Sequence, residues 1–136
     1  MPKDLSYKPH DRSPSAEQLV WTVTNELKAC IEVVDTGKSE WQQITPPNLD
    51  EMIQMYEKWS HELLDKVSNM DGAVEQRNAQ LLYQGMVVME KPTLEFLWDF
   101  MFDAIHHRGQ LSAYLRPMGG KVPSIYGPSA DDPGMS

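Results

Sequence analysis

The sequence predicts an all-α fold, a helical bundle of the up-and-down type, and three observations carry that prediction. Apolar residues recur every third or fourth position in three separate stretches; a proline-bearing start signal precedes each stretch; glycine, or proline followed by glycine, ends it. At 136 residues and 40% apolar composition, the chain is long enough for one compact core and short for two, so residues 1–136 read as a single domain.

Residues 1–12 carry two prolines and no periodicity, which predicts an extended lead-in. Ser13-Pro14 then supplies a helix start, a side-chain acceptor for free amides beside a residue whose fixed φ suits the first turn. Leu19, Val23, Leu27, Cys30 and Val34 form the apolar stripe of a first helix, which Gly37 ends. Thr45-Pro46-Pro47 repeats the signal, and Met52, Tyr56, Trp59, Leu63, Val67 and Met70 mark a second helix running to Asp71-Gly72. Between Ala73 and Glu90 the apolar residues have no clear period, so this stretch is read as an irregular or extended cover segment.

Pro92 opens a third long helix, with Leu94, Leu97, Trp98, Met101, Ile105 and Leu115 on one side. Phe96, Phe100 and Phe102 widen its apolar sector, which predicts a central helix packed on more than one side. Pro117 and Gly119-Gly120 end it, and residues 120–136 form an irregular tail. Trp41, with Lys38 and Glu40, falls in a predicted connection, where it would cap the bundle end.

Twelve basic against twenty acidic residues give a formal charge of −8 with no basic cluster, which argues against nucleic acid and anionic membranes as partners. No apolar run is long enough to span a bilayer, and the first residues lack a secretory signal. A single cysteine cannot form an internal disulfide, so a cytoplasmic location is expected. Cys30 falls on the apolar stripe, where a thiol acts as a small hydrophobe rather than a nucleophile. His61 has no spaced ligand partner on its own helix.

The densest chemical signal is Asp103-Ala-Ile-His106-His107-Arg108-Gly109-Gln110-Leu111 on the third helix. At roughly 100° per residue, Asp103, His107, Gln110 and Tyr114 share one polar strip, while His106 points elsewhere. A carboxylate and an imidazole one turn apart are spaced to share a divalent metal. The same spacing also suits a plain hydrogen bond between Asp103 and His107. Arg108 and Arg116 could orient an anionic substrate or pair with acidic neighbours.

The run His106 to Leu111, then Tyr114-Leu115-Arg116 and Val122-Pro123-Ser124-Ile125-Tyr126-Gly127, resembles the closing signature of DinB-like proteins. Upstream, Tyr7-Lys8-Pro9-His10, Arg12-Ser13 and Leu19-Val20-Trp21 resemble the segment leading into that family's second helix, while Gly37 to Glu90 matches only in pattern. The resemblance implies a four-helix bundle, a nickel or zinc ion held by three histidines, and thiol-dependent transferase or isomerase chemistry, although many members have no known activity. It places the second histidine of the last-helix pair on His107, the first on Asp103 and the helix-two histidine on Thr22.

Two of three family ligands are therefore altered: threonine drops a ligand, whereas aspartate keeps one with a different charge. Glu26 lies one turn beyond Thr22, so a rewired site of Glu26, Asp103 and His107 is expected, suited to manganese, iron or zinc. The competing expectation leaves Glu26 solvated and the site without metal. Arg108, Gln110 and Tyr114 are the candidate substrate-binding residues beside it.

The function these expectations describe is a divalent-metal-dependent transferase joining a small-molecule thiol to an electrophilic substrate, or a related hydrolase-like enzyme. The alternative is a binding or assembly protein that has lost the metal. Relatives also carry a whole helix before the stretch resembling Tyr7-Lys8-Pro9. Three long helices would leave an apolar stripe open, to be covered by homodimerisation or by the Ala73–Glu90 segment.

Overall fold

The computed structural model describes residues 4–134. Three long helices form, as the periodicity predicts: α1 (Ala16–Thr36), α2 (Leu49–Ser68) and α4 (Thr93–Leu115), with a short α3 (Gly72–Gln76). The fold is not purely helical. Strands β1 (Lys38–Trp41), β2 (Asn78–Tyr83) and β3 (Met86–Pro92) make a sheet in the order β1-β2-β3, parallel between the first two and antiparallel between the last two.

The sheet decides one sequence expectation and corrects another. Ala73–Glu90 takes the extended rather than the irregular form expected of it, the end of a short helix followed by a hairpin. Leu81-Leu82-Tyr83 and Met86-Val87-Val88-Met89 are β-formers flanking Gln84-Gly85, both at positive φ (52° and 77°), the left-handed pair a two-residue hairpin turn requires. A register shift between Leu81 and Leu82 breaks the alternation of faces, which is why the residues show no clean period. Trp41 is likewise the last residue of an edge strand rather than part of a connection.

Caps fix the helix ends. Ser15, two residues after the expected start, closes a capping box with Gln18. Asn48, just past the two prolines, caps α2 through the Glu51 amide. Gly37 ends α1 in the left-handed conformation, its N–H donating to the Val33 carbonyl. Arg77 donates to the carbonyls of Val33 and Val34, adding a cation where the α1 dipole is negative.

Packing leaves the third helix with neighbours on more than one side, as expected, but does not put it at the centre. α1 holds the middle: α2 and α4 pack on it from two sides, and β1 and β2 reach it from a third. Val33, Ala79 and Phe96 form a fully buried cluster with Leu81, Met89 and Phe100 against it, so two of the phenylalanines expected to widen the α4 stripe, Phe96 and Phe100, are its true core face, while Phe102 is exposed. The expected stripe faces the other way. Trp98, Met101 and Ile105 are exposed, bordering a groove between α2 and α4 that is floored by Val23, Leu27 and Cys30. No residue of the Ala73–Glu90 segment lines that groove, so the segment covers α1 on the sheet side and leaves this side open.

Residues 4–15 contain no helix or strand, and Leu5 and Tyr7 pack with Ala16, Leu19 and Tyr114 at one end of the bundle. The tail from Gly120 onward is irregular and returns along α4 through the Arg116–Asp131 ion pair. Residues 1–3 of the lead-in and 135–136 of the tail lie outside the described residues. Among the described residues, no helix is long and apolar enough to cross a membrane.

Candidate metal centre

Glu26 sits on the face of α1 turned toward α4, and Asp103 and His107 sit one turn apart on α4. The two helices bring the three side chains together, with one ligand atom of each within 4.8 Å of the others. His107 Nε2 lies 3.1 Å from Asp103 Oδ2 and 3.8 Å from Glu26 Oε1. An ion about 2.1 Å from each of three ligands needs donor atoms roughly 3 to 3.5 Å apart, so small side-chain adjustments would suffice.

Burial grades across the triad. Glu26 is 4% exposed, His107 21% and Asp103 52%, so the site is closed at α1 and open beyond Asp103. Among the described residues, neither Glu26 carboxylate oxygen has a hydrogen-bond partner. Burial pushes its pKa up to about 9, with a further rise from the neighbouring Asp103 carboxyl group. A buried carboxyl without a donor is costly to the fold, and a cation bound beside it would supply the missing partner. The residues present therefore fit a divalent ion.

The other side of His107 is also engaged. Its Nδ1 is 3.3 Å from Gln110 Oε1. In the tautomer that donates this Nδ1–H to the amide oxygen, Nε2 carries the lone pair that a metal needs. Thr22 lines the same cavity as Glu26 and Asp103.

The remaining sequence candidates are not all gathered here. Arg108 donates to the Tyr126 hydroxyl at 2.6 Å and stacks over its ring, on the groove side. Tyr114 is buried at the bundle end, donating to the Pro14 carbonyl at 3.0 Å and meeting Tyr7 edge to face. His106 is exposed beside His107, and His61 is exposed on α2. Cys30 is buried with its thiol pushed up to about 12 by burial, which suits a small hydrophobe.

A cavity of about 370 Å³ adjoins the triad. Its walls include Trp41, Leu81, Tyr83 and Val88 of the sheet, Phe100 of α4 and Gln43 just beyond β1. Sequence reasoning missed these residues because it missed the sheet. The Gln84-Gly85 dipeptide between two β-forming runs was the available signal.

The family model of the DinB family matches residues 2–134. The chain belongs to the DinB family. The crystal structure of a DinB-like protein, YjoA, from Bacillus subtilis is similar with a TM-score of 0.63 and 21% identity, over 86% of this chain and 76% of that one. At that identity the likeness speaks for the fold. No curated protein matches the sequence.

Proposed function

We propose that this DinB-family chain is a divalent-metal-dependent transferase that joins a low-molecular-weight thiol to an electrophilic small molecule, with Glu26, Asp103 and His107 as the metal ligands. The observation that carries the reading is the convergence of three ligand atoms within 4.8 Å around a buried carboxylate that has no hydrogen-bond donor among the described residues. Two carboxylates with one imidazole form an oxygen-rich set suited to manganese, iron or zinc; nickel is retained because the family uses it. When bound, a divalent ion would supply Lewis acidity, lowering the pKa of a coordinated thiol or water.

The residues of the chain do the rest. Glu26 must release its proton to become a ligand, which couples metal uptake to pH. Gln110 holds the imidazole with Nε2 toward the carboxylates, acting as a positioning residue. The exposed edge at Asp103 leaves an approach for the thiol and its acceptor. Arg108, near the mouth of the groove, is the nearby cation for a thiol carboxylate, once its contact with Tyr126 opens. Tyr114 supports the helix end from its place in the bundle rather than touching substrate.

Homodimerisation in the cytoplasm belongs to the same proposal. The exposed side of α4 and the facing side of α2 make an apolar surface that an isolated chain leaves in water, and a second copy would cover it. The second reading, a binding or assembly protein without metal, is favoured by Thr22 at a family ligand position and by that same open groove. Elemental analysis of untagged protein separates the two: stoichiometric metal supports the transferase, and a metal-free chain after reconstitution supports the assembly protein.

A further inference from the structure

The cavity beside the triad has an uneven chemistry. One end is polar, with the Glu26 and Asp103 carboxylates and Thr22. Apart from Gln43, the rest is apolar or aromatic, and those side chains come from the small sheet and from α4. Trp41 and Phe100 approach to 6.4 Å between ring centroids, and Phe100 stacks on the buried Phe96 at 4.7 Å, so the aromatic wall is anchored in the core. The Tyr83 hydroxyl is spent on Gln43 at 3.4 Å.

Charge is equally informative. Among the described residues, no lysine, arginine or histidine lines this cavity, and its two acidic groups are the carboxyls assigned to the metal. A divalent ion on Glu26 and Asp103 would cancel both charges. No cation of the wall then remains to receive a carboxylate or phosphate on the substrate, and an anion held against the wall would give up part of its water without gaining a partner. At about 370 Å³ the cavity stands at the small end of ligand pockets, with room for a ring and a short substituent.

We infer that the electrophilic substrate is a neutral aromatic or apolar small molecule, its ring against Trp41, Tyr83 and Phe100 and one donor atom directed at the triad. This rests on the reading that the triad holds a divalent ion. The small sheet, by supplying Trp41, Leu81, Tyr83 and Val88, is then the specificity wall of the site.

Calorimetry on zinc-loaded protein with three hydroxamates tests the inference, because the hydroxamate group engages the metal while the substituent probes the wall. Benzohydroxamic acid is expected to bind about tenfold or more tightly than acetohydroxamic acid, and 4-carboxybenzohydroxamic acid about tenfold more weakly than the unsubstituted ring. Trp41→Ala should reduce the ring's advantage several-fold while leaving acetohydroxamic acid unchanged. Val88 is 57% exposed at the cavity wall, so Val88→Arg should leave the fold intact and turn the preference toward the carboxylated probe. Equal affinities for the ring and methyl probes, or a wild-type preference for the carboxylated one, with zinc retained, overturn the inference and leave the metal reading standing. Failure of the protein to take up zinc overturns both.

Discussion

The two sides of α4 use the same kinds of residue for opposite ends. On the sheet side Phe96 is fully buried and stacked on Phe100, enclosed by Val33 and Ala79. On the groove side Trp98 and Phe102 also stack on each other, with ring centroids 5.8 Å apart, yet are 51% and 60% exposed. The difference lies in what the chain brings against each side. β2 and β3 close the first, whereas α2 and α4 both lean on α1 and leave the second open. Burial of an aromatic residue is thus decided by topology, and Glu26, which borders both the cavity and the groove, sits where the two regimes meet.

The comparison breaks most readily at Phe96. Phe96→Ala should cost about 3–5 kcal/mol in chemical denaturation, because it opens a cavity in a cluster with no room to collapse. Trp98→Ala, measured on dilute protein, should change stability by roughly 0.5 kcal/mol or less. Similar costs for both would show that the groove is closed in solution by the chain's own residues.

Glu26 sharpens the contrast through pH. Its pKa rises from an ordinary value near 4.5 to about 9 on folding, so the folded chain holds the proton more tightly than the unfolded one. In metal-free protein this group therefore costs nothing below about pH 4.5, lowers stability steadily as pH rises toward about 9, and has a constant effect above that. Glu26→Gln should flatten that slope, stabilising the metal-free protein by on the order of 2 kcal/mol at pH 8 and hardly at all at pH 4. Thermal melts across that range check it.

Smaller effects follow at the sheet and the groove. Gly85 has φ of 77° and open space where a Cβ would stand, so Gly85→Ala should cost only the conformational term, about 1 kcal/mol. Trp98→Glu should leave the melting temperature of dilute protein nearly unchanged while weakening the proposed self-association by about tenfold or more, read by sedimentation velocity. A dimer untouched by this change would place the partner elsewhere.

Much of this architecture was legible in the residues. Gly37 announced the left-handed end of α1, and the Asp103/His107 spacing announced two groups on one helical face. Glu26 was reachable only by way of the family resemblance, because neither its burial nor its nearness to α4 is encoded in local spacing. What stayed hidden had two physical causes. A register shift at Leu81/Leu82 erased the strand period, and with it the cavity wall. The nearly all-round apolar character of α4 gave no basis for choosing Phe96 over Trp98 as the buried side.

Metal content of untagged protein tests the central claim most directly, with wild type compared against His107→Ala, Asp103→Ala and Glu26→Gln at pH 8. The account predicts about one divalent transition ion per wild-type chain, loss of most of it in each variant, and weaker uptake by wild type at pH 6, where the proton on Glu26 competes more strongly with the metal. Wild-type protein that stays metal-free after reconstitution, or variants that bind as well as wild type, would contradict it.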